Sequence, residues 1–450
     1  VNLWREFGVT GTREELLKLF ASFENYPLLI RALAGEVARY KRAPGNFDAW
    51  RAANPDFNPY QERLLTGRKS YVLGYALTGL TAEERRVLET VAAFRMPATY
   101  DTLVALLVSE PHPPAPSPFA PSAEDGRGAG EGGKTAPQTG PLGWLRSLTQ
   151  PKTEPPVPAT KPTSTPMQKV VLFKSEAELD GVLQQLENRG LVGWDRSANR
   201  YDLHPIVRGV TWSRLGDDDR RGVYTAFQGH FAAVPDKYDD YTQVERFEDL
   251  TPAVELYQAL IGLGRYDDAC DLFFDRLENA TLYRLSASRQ RVELLEQLFP
   301  DGTDHLPRLS KPGDQAYTLN ALAQAYQFSG EPGRAAPLYR PGCDLAEKQG
   351  NQKNVSIGLG NLADALRLSG SLRGSAAAAR RALVITRERE DRFQEAISLQ
   401  WLGLALAACG RADEAMLALR RALVRIDEAA SAAWMRPRLQ HSVREALDRP

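Results

Sequence analysis

The chain is poor in cysteine, has no long apolar run and carries almost no net charge. Three cysteines in 450 residues cannot build a disulfide framework. Cys270, Cys343 and Cys409 each fall in alanine- and leucine-rich helical patterns far apart in sequence, and read as small buried residues in a reducing compartment. No Cys-x-x-Cys pair and no Cys/His cluster occurs, so no metal site is expected. No apolar stretch reaches the roughly 18 residues of a membrane span, and the start Val1-Asn2-Leu3-Trp4-Arg5-Glu6-Phe7 lacks the basic-then-apolar order of a signal peptide. A cytoplasmic location is the resulting expectation. Basic residues number 56 against 57 acidic ones, a net charge of −1. That excludes coating nucleic acid or anionic membrane by bulk charge, though not a small local basic patch. Opening on Val rather than Met, the chain reads as a fragment or as having an unusual start.

What is present is ordinary globular composition, 43% apolar and 25% charged, with a length suited to two to four domains. Residues 1–75 read as helices. Thr12 and Glu15 are spaced as a capping box ahead of Leu16, Leu19 and Phe20. A second helix is expected from about Pro27 to Arg42, stopped by Ala43-Pro44-Gly45-Asn46. Thr81 and Glu84 mark a strong start for another helix, with Val87, Leu88 and Val91 following at helical spacing.

Composition changes abruptly near Glu110. The stretch from Pro111 to Pro166 holds nearly half of the chain's 30 prolines, too little apolar surface to offset the entropy of ordering. A disordered insertion at about 110–167 is expected, with Trp144-Leu145 its only apolar island. Order returns near Val170. A helix about Glu176–Arg189 buries Leu179, Val182, Leu183 and Leu186, and Leu191–Trp194 pairs with Arg200–Leu203 as a hairpin. Helices, insertion, helix and hairpin over 76–215 have the order of a winged-helix domain.

From 216 to 450 the pattern is helical and repeats internally. Leu322-Ala323, Leu362-Ala363 and Leu402-Gly403 recur 40 residues apart, as do Gly330, Gly370 and Gly410, and as do Arg380-Arg381-Ala382-Leu383 and Arg420-Arg421-Ala422-Leu423. Each unit is a helix, a glycine turn and a second helix. A weaker copy runs from Leu256 to Phe273. Over roughly 250–430 this unit resembles a tetratricopeptide repeat: Leu319, Leu322, Ala323, Tyr326, Gly330, Ala335 and Tyr339 match the family's large and small positions in order. Ser375 stands where the family has Ala, and the period of 40 exceeds the family's 34. Such helix pairs cannot bury their apolar faces alone and stack into a solenoid. The resemblance implies a concave face of first helices, where Asn320, Gln324, Gln327, Asp364, Arg367 and Gln400 would meet a protein or peptide partner.

Two motifs in the front half resemble NB-ARC/STAND signalling ATPases. Glu24-Asn25-Tyr26-Pro27-Leu28-Leu29 is similar to their "GLPL" helix start, and Leu203-His204-Pro205-Ile206-Val207-Arg208, just after the hairpin, to their "MHD" motif. The order of helical segment, winged helix and repeat array is also theirs. The resemblance implies that Pro27 lies against adenine and His204 near the β-phosphate of bound ADP. Asn25 replaces the family's first Gly and Pro205 its Asp. The one literal P-loop match, Gly128 to Thr135, has no strand before it and Ala136-Pro137 directly after it, so it cannot aim backbone N–H groups at phosphate. No cofactor is expected of this chain alone, and ADP or ATP only if an upstream nucleotide-binding domain accompanies it.

No catalytic set appears. His112, His230, His305 and His441 have no nucleophile in pattern, and neither GxSxG nor HExxH occurs. The fold expected is mostly α: helical segment, winged helix and α-solenoid. The function expected is a non-enzymatic protein-interaction and sensor module of a STAND-like signal-transduction regulator, which in a full-length protein could oligomerise. Alternatives are a free-standing scaffold, a truncated inactive remnant, or a DNA-binding winged-helix regulator. Against the last, the helix that would enter a groove carries Glu178, Asp180, Gln184, Gln185 and Glu187, with Arg189 its only base.

Overall fold

A computed structural model describes residues 2–61, 64–109, 172–429 and 434–447. The Pro/Gly-rich insertion at about 110–167, the P-loop-like match at 128–135 and His112 lie outside the described residues. The protein is mostly helical with little sheet, and its described residues divide into two compact units. The first comprises 2–109, 172–236 and 251–264; the second comprises 237–250 and 265–447.

The first unit begins with α1 (Asn2–Glu6), α2 (Arg13–Ala21), α3 (Pro27–Ala38), α4 (Phe47–Ala53) and α5 (Leu65–Thr78). Their core is aromatic. Trp4 meets Phe20 edge-on at 5.0 Å and Phe47 at 5.3 Å, and its indole N–H donates to the Ile30 carbonyl at 2.7 Å. The capping box expected at Thr12 is absent. Thr12 instead gives its backbone N–H and hydroxyl to Asp48, tying the start of α2 to α4. Helix α3 stops four residues earlier than the periodicity predicts, because Arg39 leaves helical geometry ahead of the Ala43–Asn46 turn.

Thr81 and Glu84 do form a capping box, at the start of α6 (Ala82–Ala93). The chain continues through β1 (Ala98–Thr99), α7 (Tyr100–Leu107), α8 (Glu176–Asn188), β2 (Gly193–Asp195) and β3 (Arg200–Asp202). The hairpin β2–β3 forms in the expected place with Trp194 opposite Tyr201, and β1, too short to read from sequence, joins it to give the antiparallel order β1-β3-β2. Helices α9 (Pro205–Arg214), α10 (Asp217–Phe231) and α11 (Thr251–Gly262) complete the unit.

Buried charge holds this unit together. Arg189, 4% exposed and just past α8, reaches Glu36 of α3 at 3.0 Å and Glu84 of α6 at 3.5 Å; Arg39 also pairs with Glu84 at 3.0 Å. Burial pushes the Glu36 carboxyl up to about 7, with Arg39 pulling it down and Glu84 pushing it up. A second buried acid, Glu255 of α11, accepts the backbone N–H groups of Arg95 (3.0 Å) and Met96 (2.6 Å). Its burial pushes it up to about 7 against those two hydrogen bonds.

The second unit contains α12 (Tyr266–Leu272) and α13 (Ser288–Leu295), then α14 (Pro312–Phe328), α15 (Pro332–Lys348), α16 (Gln352–Leu368), α17 (Leu372–Glu388), α18 (Arg392–Ala408), α19 (Ala412–Glu428) and α20 (Arg436–Leu447). The weaker repeat expected from Leu256 is divided: α11 belongs to the first unit, α12 to the second. Helix α12 passes into π-helical turns at Phe273–Leu277 and Ala280–Arg284. There the fully buried Arg291 donates to the Glu278 carbonyl and the Thr281 hydroxyl, both at 3.2 Å, a side chain inserted into the helical ladder.

From α14 to α19 the regularity is strict. Each helix has 17 residues, and the starts fall at 312, 332, 352, 372, 392 and 412. The underlying period is thus 20, half the 40 visible in the sequence. Each connection centres on a left-handed residue: Gly330, Gly350, Gly370, Glu390 and Gly410. After it, the N–H of Glu331, Asn351, Ser371, Asp391 or Arg411 reaches back to the carbonyl of residue 326, 346, 366, 386 or 406. This is the Schellman closure, which needs a residue tolerant of positive φ. Adjacent helices pack pairwise along the whole stack, and Ala323, Ala363 and Gly403 lie buried at the crossings. A Cβ on Gly403 would fall 2.6 Å from Leu419 Cγ, which fixes why that position is glycine.

Of the three cysteines, Cys270 and Cys343 are buried as expected, and burial pushes both thiols up to about 12. Cys409 is exposed. It is the C-cap of α18, past the last buried turn.

Candidate functional site

In the second unit the first helices of successive pairs touch one another: α14 meets α16, α16 meets α18, and α18 meets α20; the second helices scarcely touch. The array therefore bends toward its first helices, and their shared side is the inner face.

That face carries a row of half-buried polar side chains. Asn361 Nδ2 donates to Asn320 Oδ1 at 3.1 Å, linking α16 to α14. One and two turns further on, Gln327 Nε2 donates to Asp364 Oδ2 at 2.6 Å, and Arg367 grips Asp364 Oδ1 at 2.9 Å. Tyr339 of α15 donates to Gln327 Oε1 at 3.2 Å. Burial raises the Asp364 carboxyl, opposed by Arg367 and Gln327. Arg367 also reaches Glu445 of α20 at 3.5 Å, and its guanidinium lies 6.0 Å from the Trp401 ring. Beside Asn320 a shallow, partly open recess lies between α14, α15 and α16. Tyr317, Asn320 and Asn354 line it together with the small residues Ala316, Gly342, Ala346 and Gly358. Tyr317 is fixed by donating its hydroxyl to Glu278 at 2.8 Å.

Four of the six groove residues expected from sequence, Asn320, Gln327, Asp364 and Arg367, come together here. The other two are not open to a partner. Gln324 is 8% exposed. Gln400 is 1% exposed and bonds Ser442 of α20 at 2.8 Å, because α20 occupies the place a further first helix would take. Sequence reasoning passed over Asn361, Tyr317 and the α20 residues. Asn361 follows Asn320 by 41 residues rather than 40, so strict repeat registration lands on Gly360.

In the first unit Tyr26, the residue before Pro27, contacts His204. Glu24 and Asn25 adopt left-handed φ of 59° and 56°, turning the chain into Pro27 at the start of α3. Asn tolerates that conformation better than most residues other than Gly. Tyr26, next to Pro27, bonds His204 Nε2 at 2.8 Å, and His204 Nδ1 accepts the Ile206 N–H at 3.2 Å as the cap of α9. With Nδ1 accepting, Nε2 holds the proton and donates it to the tyrosine oxygen. Lys69 stands 4.6 Å from the Tyr26 ring centre.

On α8, Glu178, Asp180, Gln184 and Gln185 are exposed, whereas Arg189 is buried in its ion pairs. Among the described residues no group of three or more His, Cys, Asp or Glu side chains is placed to hold a metal, and no helix is long and apolar enough to cross a membrane.

No protein-family model matches the chain, and no curated protein matches it. Among the solved structures to which the chain has a distant likeness are the following two. One is a Signal Transduction ATPase with Numerous Domains protein with a tetratricopeptide repeat sensor, from Pyrococcus horikoshii. It is 12% identical with a TM-score of 0.32, and the alignment covers 97% of this chain but only 54% of that one. The other is BtubC from P. vanneervenii, 15% identical with a TM-score of 0.27 over 52% of this chain and 90% of that one. Neither likeness is close enough to carry a role over to this chain.

Proposed function

We propose that the chain is a non-catalytic protein-interaction module whose helical array takes a peptide or protein segment along its inner face. The observation that supports this most is the row Asn320, Asn361, Gln327, Asp364 and Arg367, half-buried and mutually bonded on helices locked by identical turns. Amide and carboxylate groups held in this way can exchange hydrogen bonds with an extended backbone at little entropic cost.

The helix, strand, helix, helix, strand, strand order from α6 to β3 is read as a winged helix. With Tyr26-Pro27 and His204 brought together, the first unit is read as the regulatory part of a STAND-like signalling protein, cytoplasmic in location. In a full-length protein carrying a nucleotide-binding domain, Pro27 and His204 would face ADP. Partner binding to the array would then bias two arrangements of that module. A DNA-binding role is disfavoured, since Arg189, the base that caps the end of α8, is already paired with Glu36 and Glu84.

The test is selection of a random peptide library on the full chain, repeated on an Asn361→Ala/Asp364→Asn variant. The expected result is a set of related sequences that bind the parent and are lost on the variant. Failure to enrich any sequence, or enrichment indifferent to those two positions, contradicts the proposal.

A further inference from the structure

The sequence repeat contains a feature that the inner face does not use. Arg340, Arg380 and Arg420 stand at the same position of α15, α17 and α19, one per hairpin, all exposed. These second helices turn this side away from the inner face. Between residues 376 and 386, and between 416 and 426, the sequence holds five arginines and no acid. Two of the five are neutralised: Arg381 pairs with Glu347, and Arg425 reaches Glu395 at 2.8 Å and Glu428 at 2.7 Å. Arg380, Arg420 and Arg421 have no hydrogen bond or ion pair among the described residues. Elsewhere in the array some exposed arginines, Arg334 and Arg411 among them, are paired with acids on their own or adjoining helices, whereas Arg373 and Arg389 have no such pairing among the described residues.

The same strip is apolar between its charges. One turn beyond Arg380 and Arg420 lie Val384 and Val424, 55% and 54% exposed, and one turn before Arg420 lies Leu417 at 52%. Residues three or four apart share a helix side. The two helices are also held in fixed relation: buried Glu395 of α18 clamps Arg387 of α17 at 3.0 Å and Arg425 of α19 at 2.8 Å. Asp344 follows Arg340 by one turn, so the strip is strongest on α17 and α19.

We propose that the outer faces of α17 and α19 dock an acidic amphipathic helix of another protein. Its carboxylates would meet the free guanidinium forks, which accept such pairs bidentately. Its apolar side chains would cover Val384, Val424 and Leu417. Charge complementarity sets the sign of the partner, and the interleaved branched side chains set its class. A phosphodiester backbone leaves that apolar surface uncovered, and a chain of net charge −1 exerts no general pull on polyanions. This surface is separate from the inner face and does not depend on what binds there.

The experiment uses the full chain and a fluorescein-labelled helical peptide with Glu at i and i+4 and Leu at i+3, repeated over four turns. Its twin carries Gln for Glu. Anisotropy titration is expected to show binding by the Glu peptide that weakens with salt and is absent for the Gln twin. Affinity is expected to fall about tenfold in Arg380→Gln/Arg420→Gln/Arg421→Gln and severalfold in Val384→Ser/Val424→Ser. These side chains lack partners, so melting should not move, and Asn361→Ala should leave the titration unchanged. The proposal is overturned if the arginine variant binds the Glu peptide as well as the parent does, or if the Gln twin binds equally. It is overturned too if phosphatidylserine vesicles or duplex DNA bind more tightly than the peptide and Val384→Ser/Val424→Ser does not affect that binding.

Discussion

The two units solve the problem of joining short helices in opposite ways. In the first, elements of unequal length from distant parts of the sequence are fastened at single points by buried charge: Arg189 to Glu36 and Glu84, and Glu255 to the backbone after α6. In the second, six helices of 17 residues are stacked by one turn used five times and by alanines and glycine at the crossings. The first unit adds a few buried ionisable fastenings to its apolar and aromatic core. The second spreads its stability over many apolar contacts between neighbours.

The largest expected effect breaks the first arrangement. Arg189→Met removes the cation between two buried carboxyls and should cost roughly 3–5 kcal/mol. Hydrogen exchange should show lost protection in α3, α6 and α8 while the array stays protected. Overpacking is the matching insult to the second unit. Gly403→Ala pushes a methyl toward Leu419 and should cost about 1–3 kcal/mol in urea denaturation, felt in α18 and α19 first.

The contrast sharpens with pH. The folded-state pKa of Glu255 is raised from 4.5 to about 7, so the folded first unit binds more protons than the unfolded chain between those values. Its stability should therefore increase as pH falls from 7 toward 4.5 and decline as pH rises through that window. Melting followed at Trp4 and Trp50 should shift upward on acidification, and Glu255→Gln should reduce the slope, leaving the part that Glu36, likewise raised to about 7, supplies. The smallest effect is at the single turn that departs from glycine. Glu390→Gly relieves a left-handed glutamate (φ 55°) and should stabilise the array by roughly 0.5–1 kcal/mol.

Much of the array was legible because its signals are local and repeated: the glycines at 330, 370 and 410, and the small residues at 323, 363 and 403. Its half-period was not, since Glu390 breaks the glycine series and Pro337 and Pro341 lie inside α15, where packing overrides their helix-breaking character. In the first unit the capping box expected at Thr81 forms, whereas the one expected at Thr12 does not, because Asp48, 36 residues away, takes the Thr12 donors. The buried ionic contacts have no local pattern at all. Glu36, Glu84 and Arg189 look in sequence like surface residues on three helices. At the candidate site, spacing located Asn320, Asp364 and Arg367. It misplaced Gln400, because periodicity cannot tell an open groove from one covered by α20.

The central claim is that the inner face of the array, and not the row of side chains as mere scaffolding, is where a partner is recognised. It is tested most directly by measuring the affinity of one library-selected peptide for the parent chain and for Asn361→Ala/Asp364→Asn, with thermal melting recorded on both. The account expects binding about tenfold weaker or worse with little change in melting. Equal affinity at the two proteins, or a loss that merely tracks unfolding, would contradict it.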